Sequence, residues 1–334
     1  MFHRLPGIGL DIGCRKTRLI WVEKKEAGLR LIRYGSIHTP PGAVEGGSII
    51  DPDYLGEEIR GLVKDLKLGG KKVVSAVGGQ QVYFRNLTMP SFGWEELKPA
   101  VYYQAMRFLP IPLLEAAIDI YPLREIELEK GKHTELFFLA VRKQQVENLQ
   151  RTCIRAGLKL AVAEIESLAL YRVLGDENVK LTAILSMGFD RSHITVFKQG
   201  VPVFYRSINI GSSAFYRPLP QAAVSNGEWR GTPVLNEAIG DYMQTDLIRE
   251  IKGVIEYYAL QSETEDEPIE KIWLCGTGLI DGWEYKLSQD LGVDVEAANI
   301  LSRLILPPQI NHLEKRELQN DYQVALGLAA REVI

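Results

Sequence analysis

The alternation of apolar and polar positions at the start of the chain predicts a meander of three strands. The run from Gly7 to Lys24, GIGLDIGCRKTRLIWVEK, reads as a strand that turns tightly at Asp11-Ile12-Gly13 and resumes as Leu19-Ile20-Trp21-Val22. A turn at Lys25-Glu26-Ala27-Gly28 leads to a third strand, Leu29 to Tyr34. The same pattern is then written a second time. Ser186-Met187-Gly188 falls on Asp11-Ile12-Gly13, Ile194 to Phe197 falls on Leu19 to Val22, and Val201 to Arg206 repeats the third strand after Lys198-Gln199-Gly200.

A helical pattern follows each meander. Asp51-Pro52-Asp53 offers a cap and a first-turn proline to a helix through Ile59, Leu62, Val63 and Leu66, which Gly69-Gly70 stops. Asn236 to Leu260 carries Ile239, Met243, Leu247, Ile251, Val254 and Tyr258 at helical spacing. Each half then closes on a strand that ends in glycine: Lys72 to Val77 before Gly78-Gly79, and Lys271 to Leu274 before Cys275-Gly276-Thr277-Gly278. Between the copies, residues 82–162 read as strand (83–88), helix (94–108), two strands (117–122 and 134–141), helix (144–156) and strand (158–164). That order predicts a compact α+β insertion belonging to the first lobe. Ala214 to Val234, rich in proline and glycine, reads as an irregular loop.

Composition narrows the class without changing this picture. A chain of 334 residues favours two lobes, and 46% apolar with 25% charged residues describes an ordinary globular protein. The net charge of −4 gives no general attraction to nucleic acid or to an anionic membrane. No apolar run approaches the roughly 20 residues that span a bilayer, and the first residues lack the apolar core of a signal peptide, so the expected location is the cytoplasm. The three cysteines, Cys14, Cys153 and Cys275, are widely spaced, which predicts reduced thiols. The five histidines form no metal-binding pair.

Two α/β lobes that each present a glycine turn can grip a phosphate chain from opposite sides, because backbone N–H groups then reach phosphate oxygens with no Cβ in the way. Asp11, at the end of the first strand, is placed to hold Mg²⁺ through water. An acid at a strand end is by itself an ordinary solvated turn residue. Gly276-Thr277-Gly278 is by itself an ordinary strand-to-helix turn. Three such turns at duplicated positions favour a nucleotide cleft.

At this point the chain resembles the actin-like ATPase superfamily of actin, DnaK-type chaperones and FtsA, and within it the PilM family of type IV pilus assembly proteins. Leu10-Asp11-Ile12-Gly13 resembles the first phosphate turn, and Thr39 to Gly47 with Ile50-Asp51 resembles the loop and helix start that follow. Arg107-Phe108-Leu109-Pro110-Ile111-Pro112-Leu113-Leu114-Glu115 is similar to a stretch that more distant actin-like proteins lack. Ala140 to Lys143, Ala163 to Leu170, Leu247 to Ile251 and Tyr322 to Ala329 also match.

The resemblance implies an α/β, actin-like (duplicated ribonuclease-H-like) two-lobed fold with an inserted α+β subdomain. Its parts would be a first lobe over 1–81, the insertion over 82–162, a return and hinge over 163–180, a second lobe over 181–315, and a C-terminal helix over 316–334 that returns to the first lobe. It also implies ATP with Mg²⁺ between the lobes and a scaffold at the inner face of the cell membrane. That scaffold would hold the cytoplasmic tail of a PilN-like single-span protein and connect the inner-membrane platform to the pilus motor ATPases, in a pilus, competence or secretion system. The implied cofactor residues are Asp11, Gly13, Cys14, Arg15, Lys16, Arg18, Gly188, Glu250, Lys252, Gly276, Thr277 and Gly278, with Glu166 orienting the attacking water. The implied peptide pocket is Tyr102, Tyr103, Met106, Phe108 and Leu109, positions that also suit the helix's core face.

The chain departs from the family pattern at Cys14 and Lys16, where hydroxyls are usual, at Ser186, where an aspartate is usual, and at Gly253, where an arginine is usual. A thiol is a poor donor and a serine brings no charge, so hydrolysis is expected to suffer more than binding. A pseudo-ATPase of the same fold is the competing reading. A sugar or acetate kinase is a third, disfavoured by Ser186.

Overall fold

The computed structural model describes residues 7–79, 82–129, 131–215, 224–225, 228–229, 237–261, 268–277, 279, 282–331 and 333. The first lobe opens with the meander β1 (Gly7–Ile12), β2 (Lys16–Lys25) and β3 (Gly28–His38). A small hairpin, β4 (Val44–Glu45) and β5 (Ser48–Ile49), precedes α1 (Pro52–Asp65). The cap of α1 is as the sequence predicts: the Asp51 side chain accepts from the Tyr54 N–H at 3.0 Å, with Pro52 in the first turn. β6 (Lys72–Val77) then lies parallel to β1.

The insertion holds β7 (Val82–Pro90), α2 (Trp94–Ala105), β8 (Ala116–Leu128) and β9 (Gly131–Arg142), with β9 between its neighbours in a three-stranded antiparallel sheet. Two of its elements differ from expectation. β8 and β9 form one long hairpin rather than two short strands, since cross-strand pairing continues from Ala116–Arg142 out to Leu128–Gly131. α2 ends at Ala105 because the chain turns there to send Phe108 and Leu109 back into the insertion's core.

The next helix and strand, α3 (Lys143–Arg155) and β10 (Lys159–Ile165), were read from sequence as part of the insertion. Hydrogen bonding puts them elsewhere: β10 pairs parallel with β6 in the main sheet, and the buried Leu149 and Cys153 of α3 join the first lobe's core. Periodicity fixes an element's type and is silent on its partner.

After α4 (Glu166–Leu174) the second lobe repeats the plan. It has β11 (Leu181–Met187), β12 (Ser192–Lys198) and β13 (Val201–Ile208), a short pair β14 (Val224–Ser225) and β15 (Glu228–Trp229), and then α5 (Glu237–Gln261). β16 (Lys271–Gly276), α6 (Trp283–Leu291) and β17 (Asp294–Ala297) complete it. The sheet orders show the duplication directly. The first runs β10-β6-β1-β2-β3 and ends on the short β18 (Leu304–Ile305); the second runs β17-β16-β11-β12-β13.

The chain ends in α7 (His312–Asp321), closed by an Asn311/Glu314 capping box, and α8 (Gln323–Ala330). α8 lies directly on β1. A Cβ built on Gly9 would stand 2.0 Å from the Ala325 carbonyl oxygen, and one on Gly327 would stand 2.0 Å from that of Ala169 in α4. Gly9 therefore serves helix packing, while a Cβ on Gly7 would first meet the Val22 carbonyl of β2, at 2.4 Å.

Candidate functional site

Both meanders turn on the same hydrogen bond. The Gly13 N–H donates to the Lys16 carbonyl at 3.1 Å, and the Gly188 N–H donates to the Arg191 carbonyl at 3.0 Å. The two turns face each other across one cleft that opens to solvent. Asp11, Gly13, Cys14, Arg15, Lys16, Arg18, Glu166, Gly188, Gly276 and Thr277 all line it. The turns also touch. Burial and the neighbouring Asp190 push the Cys14 thiol up to about 11, and the Arg15 guanidinium lies 4.7 Å from the centre of the Phe189 ring.

Charge in the cleft is largely paired within the protein. Lys16 reaches Glu317 at 2.9 Å and Asp321 at 2.8 Å, both on α7. Arg18 donates to Asp11 at 3.3 Å and to the Lys16 carbonyl at 3.1 Å, with Asp321 at 3.8 Å. Burial pushes the Asp11 carboxyl up although Arg18 opposes it. Glu166 opens α4 at the cleft floor, and burial, aided by Asp11, raises it to about 7. That value suits a group that moves a proton near neutral pH.

Opposite Glu166 is a cradle made of backbone. Gly46, Gly47 and Gly79 all have positive φ, and a Cβ on Gly47 would meet the Gly79 Cα at 2.6 Å. A Cβ on Gly78 would sit 2.5 Å from Glu166 Oε1. Behind it, the Tyr205 hydroxyl donates to the Gly79 carbonyl at 3.1 Å and meets His193 Nδ1 at 2.7 Å. With the phenol proton on Gly79, His193 donates from Nδ1. Burial, with Arg191 adding to it, drops His193 to about 4 and keeps it neutral.

Several predicted residues lie differently from expectation. Glu250 pairs with Arg206 at 2.8 Å and Lys252 is exposed, and neither lines the cleft. The cause is the stripe Leu247, Ile251 and Val254, which turns the buried face of α5 to its own sheet and sends 250 and 252 outward. Gly276 lines the cleft, but its N–H donates to Gln323 Oε1 at 2.6 Å. Gly278 lies outside the described residues.

The predicted peptide pocket divides. Tyr103 and Met106 are exposed, at 69% and 58%, and with Trp94 and Tyr102 they line a groove along α2. Phe108 packs edge-to-face on Phe138, and Leu109 is buried in the same core. Sequence reading missed Arg191, Asp190, Glu317, Asp321 and the pair His193–Tyr205. One signal was available for Arg191: it stands three positions after Gly188, as Lys16 stands after Gly13.

The cations that line the cleft suit a polyanion. Arg191 is among them, and its buried Nε and Nη1 have no hydrogen-bond partner. Asp11 is committed to Arg18 and Ser186 carries no charge. Among the described residues no group of three or more His, Cys, Asp or Glu converges on a metal position.

Comparison with known proteins agrees with this geometry. A solved structure described as a PilM–PilN type IV pilus biogenesis complex is 23% identical, covers 99% of each chain and superposes with a TM-score of 0.80. MreB5 of Spiroplasma citri bound to ADP is 11% identical over 90% of this chain and 94% of its own, with a TM-score of 0.50. The same protein bound to AMPPNP is 12% identical over 90% and 93%, again at 0.50. The fold is actin-like. The family of type IV pilus assembly protein PilM matches residues 9–333, nearly the whole chain, and the protein belongs to that family.

Proposed function

We propose that this chain is a cytoplasmic, ATP-binding scaffold of type IV pilus assembly, or of a related competence or secretion system. On this reading it holds the cytoplasmic tail of a PilN-like inner-membrane protein on its insertion and connects that platform to the pilus motors. The observation that carries the nucleotide half is the pair of matched turns facing one cleft. Family membership and likeness to a chain solved with PilN support the partner half. Among the described residues no helix is long and apolar enough to cross a membrane, which agrees with attachment through a partner.

The groove along α2 supports peptide capture. Trp94, Tyr103 and Met106 leave large apolar area in water at one place, with Glu95 and Lys98 on its rim. Hydrolysis is slow on this account: Glu166 can take a proton from water, but Ser186 supplies no second carboxylate to help orient it. The competing pseudo-ATPase reading has its own support, since Cys14–Asp190 and Arg15–Phe189 hold the turns against each other.

A peptide from the cytoplasmic tail of a co-encoded single-span protein tests the partner half by fluorescence anisotropy. Tyr103→Ala and Met106→Ala each weaken binding about tenfold or more, as aromatic and Met anchors do. Lys252→Ala, on the far face of α5, leaves it unchanged. Equal affinity for all three variants removes the α2 groove as the docking surface. Phe108→Ala is unsuitable as a probe because it opens the insertion's core.

A further inference from the structure

Among the described residues, four Lys or Arg side chains line the cleft, and three have partners: Lys16 on Glu317 and Asp321, Arg18 on Asp11, and Arg15 over Phe189. Arg191 differs. It makes no ion pair among the described residues; its Nε and Nη1 are buried with no hydrogen-bond partner, as is Arg18 Nε, and its Nη2 lies 3.7 Å from where a Cβ on Gly46 would stand. The guanidinium therefore reaches from the second turn to the glycine cradle of the first lobe, across the cleft. A buried charged donor left without an acceptor is costly, so an acceptor that reaches it gains what the unliganded protein forgoes.

We propose that Arg191 is the phosphate-binding cation of this cleft, and that its guanidinium supplies charge neutralisation in a cleft where the described residues bring no three His, Cys, Asp or Glu together to hold a metal ion. Three observations converge on it. The repeat sets Arg191 where the first turn has Lys16, which α7 already neutralises. Position 186 holds serine, so no carboxylate on that strand end repels an anion or competes for the guanidinium. The neighbouring Asp190 faces Cys14 instead. Guanidinium offers fixed N–H donors matched to phosphate oxygens. The ligand class is a nucleoside triphosphate bound without need of a divalent cation, an inference that rests on the nucleotide reading of the cleft.

The test is titration of the full chain with ATP, and separately with inorganic tripolyphosphate, each in Mg²⁺ and in EDTA. Wild type binds ATP with affinities that agree within about threefold in the two buffers, and Arg191→Gln binds at least about tenfold more weakly in both. Binding by wild type that collapses in EDTA overturns the proposal. So does an Arg191→Gln protein that melts normally and binds as wild type does. Should that variant not fold, Arg191→Lys carries the comparison: weaker binding supports the assignment and equal binding refutes it. Tripolyphosphate bound through Arg191 when ATP is not removes the nucleotide reading and upholds the anion site, while binding of neither removes both.

Discussion

Glu166 is the residue where burial and chemistry meet most sharply. Its carboxyl is raised to about 7 in the folded protein against 4.5 ordinarily, so between those values the native state holds a proton that the unfolded chain releases. Stability therefore falls as pH rises from about 4.5 to about 7. Glu166→Gln removes that loss. Denaturant melts should show the variant gaining on wild type across this window, by about 1–3 kcal/mol at pH 8, and matching it near pH 4. A constant difference across pH would contradict the assignment. Cysteine reactivity gives a second check. Burial raises Cys14 to about 11 and Cys153 and Cys275 to about 12, so a thiol reagent at pH 7.5 should label all three slowly in the native state and rapidly after denaturation.

Among elements, β1 and α8 show how a fold can be read in part from sequence. The meander, its repeat and the capped start of α1 are all legible, because alternation, glycine turns and an Asp-Pro cap are local signals. The contact between β1 and α8 is not, since nothing local marks Gly9 as the point where a Cβ would stand 2.0 Å from the Ala325 carbonyl oxygen. Gly9→Ala should cost about 2–4 kcal/mol, whereas Gly61→Ala on the exposed face of α1, where a Cβ meets nothing within 4 Å, should be neutral or stabilise by up to about 1 kcal/mol. The placement of α3 and β10 was hidden for the same reason: their partners, α1 and β6, lie far away in sequence. Another link that sequence conceals runs from β13 to the insertion. Tyr205 bonds the Gly79 carbonyl, and its ring lies 6.1 Å from that of Phe84 on β7. Tyr205→Phe should raise amide exchange at residues 78–79 and 82–84 while leaving α1 unaffected.

For the whole molecule, the legible part of the site was its frame. Asp11, Gly13 and Gly188, which the repeat sets in register, line the cleft together, and so does Glu166, to which the family resemblance pointed. The charges that decide what the frame can hold came from elsewhere. Glu317 and Asp321 arrive from α7, three hundred residues from Lys16, and Arg191 became conspicuous only once its donors were seen without acceptors. Glu250 and Lys252 lie away from the cleft, because helical spacing does not reveal which stripe meets a sheet and which meets water. Of the proposed peptide surface, Tyr103 and Met106 are exposed, whereas Phe108 and Leu109 pack into the insertion's core. On the proposed function, two matched turns grip one nucleotide between the lobes. Hydrogen–deuterium exchange on the full chain, with and without saturating ATP, tests it directly. Protection should rise together at residues 13–16 and 188–191; protection at one turn alone, or at neither, would contradict it.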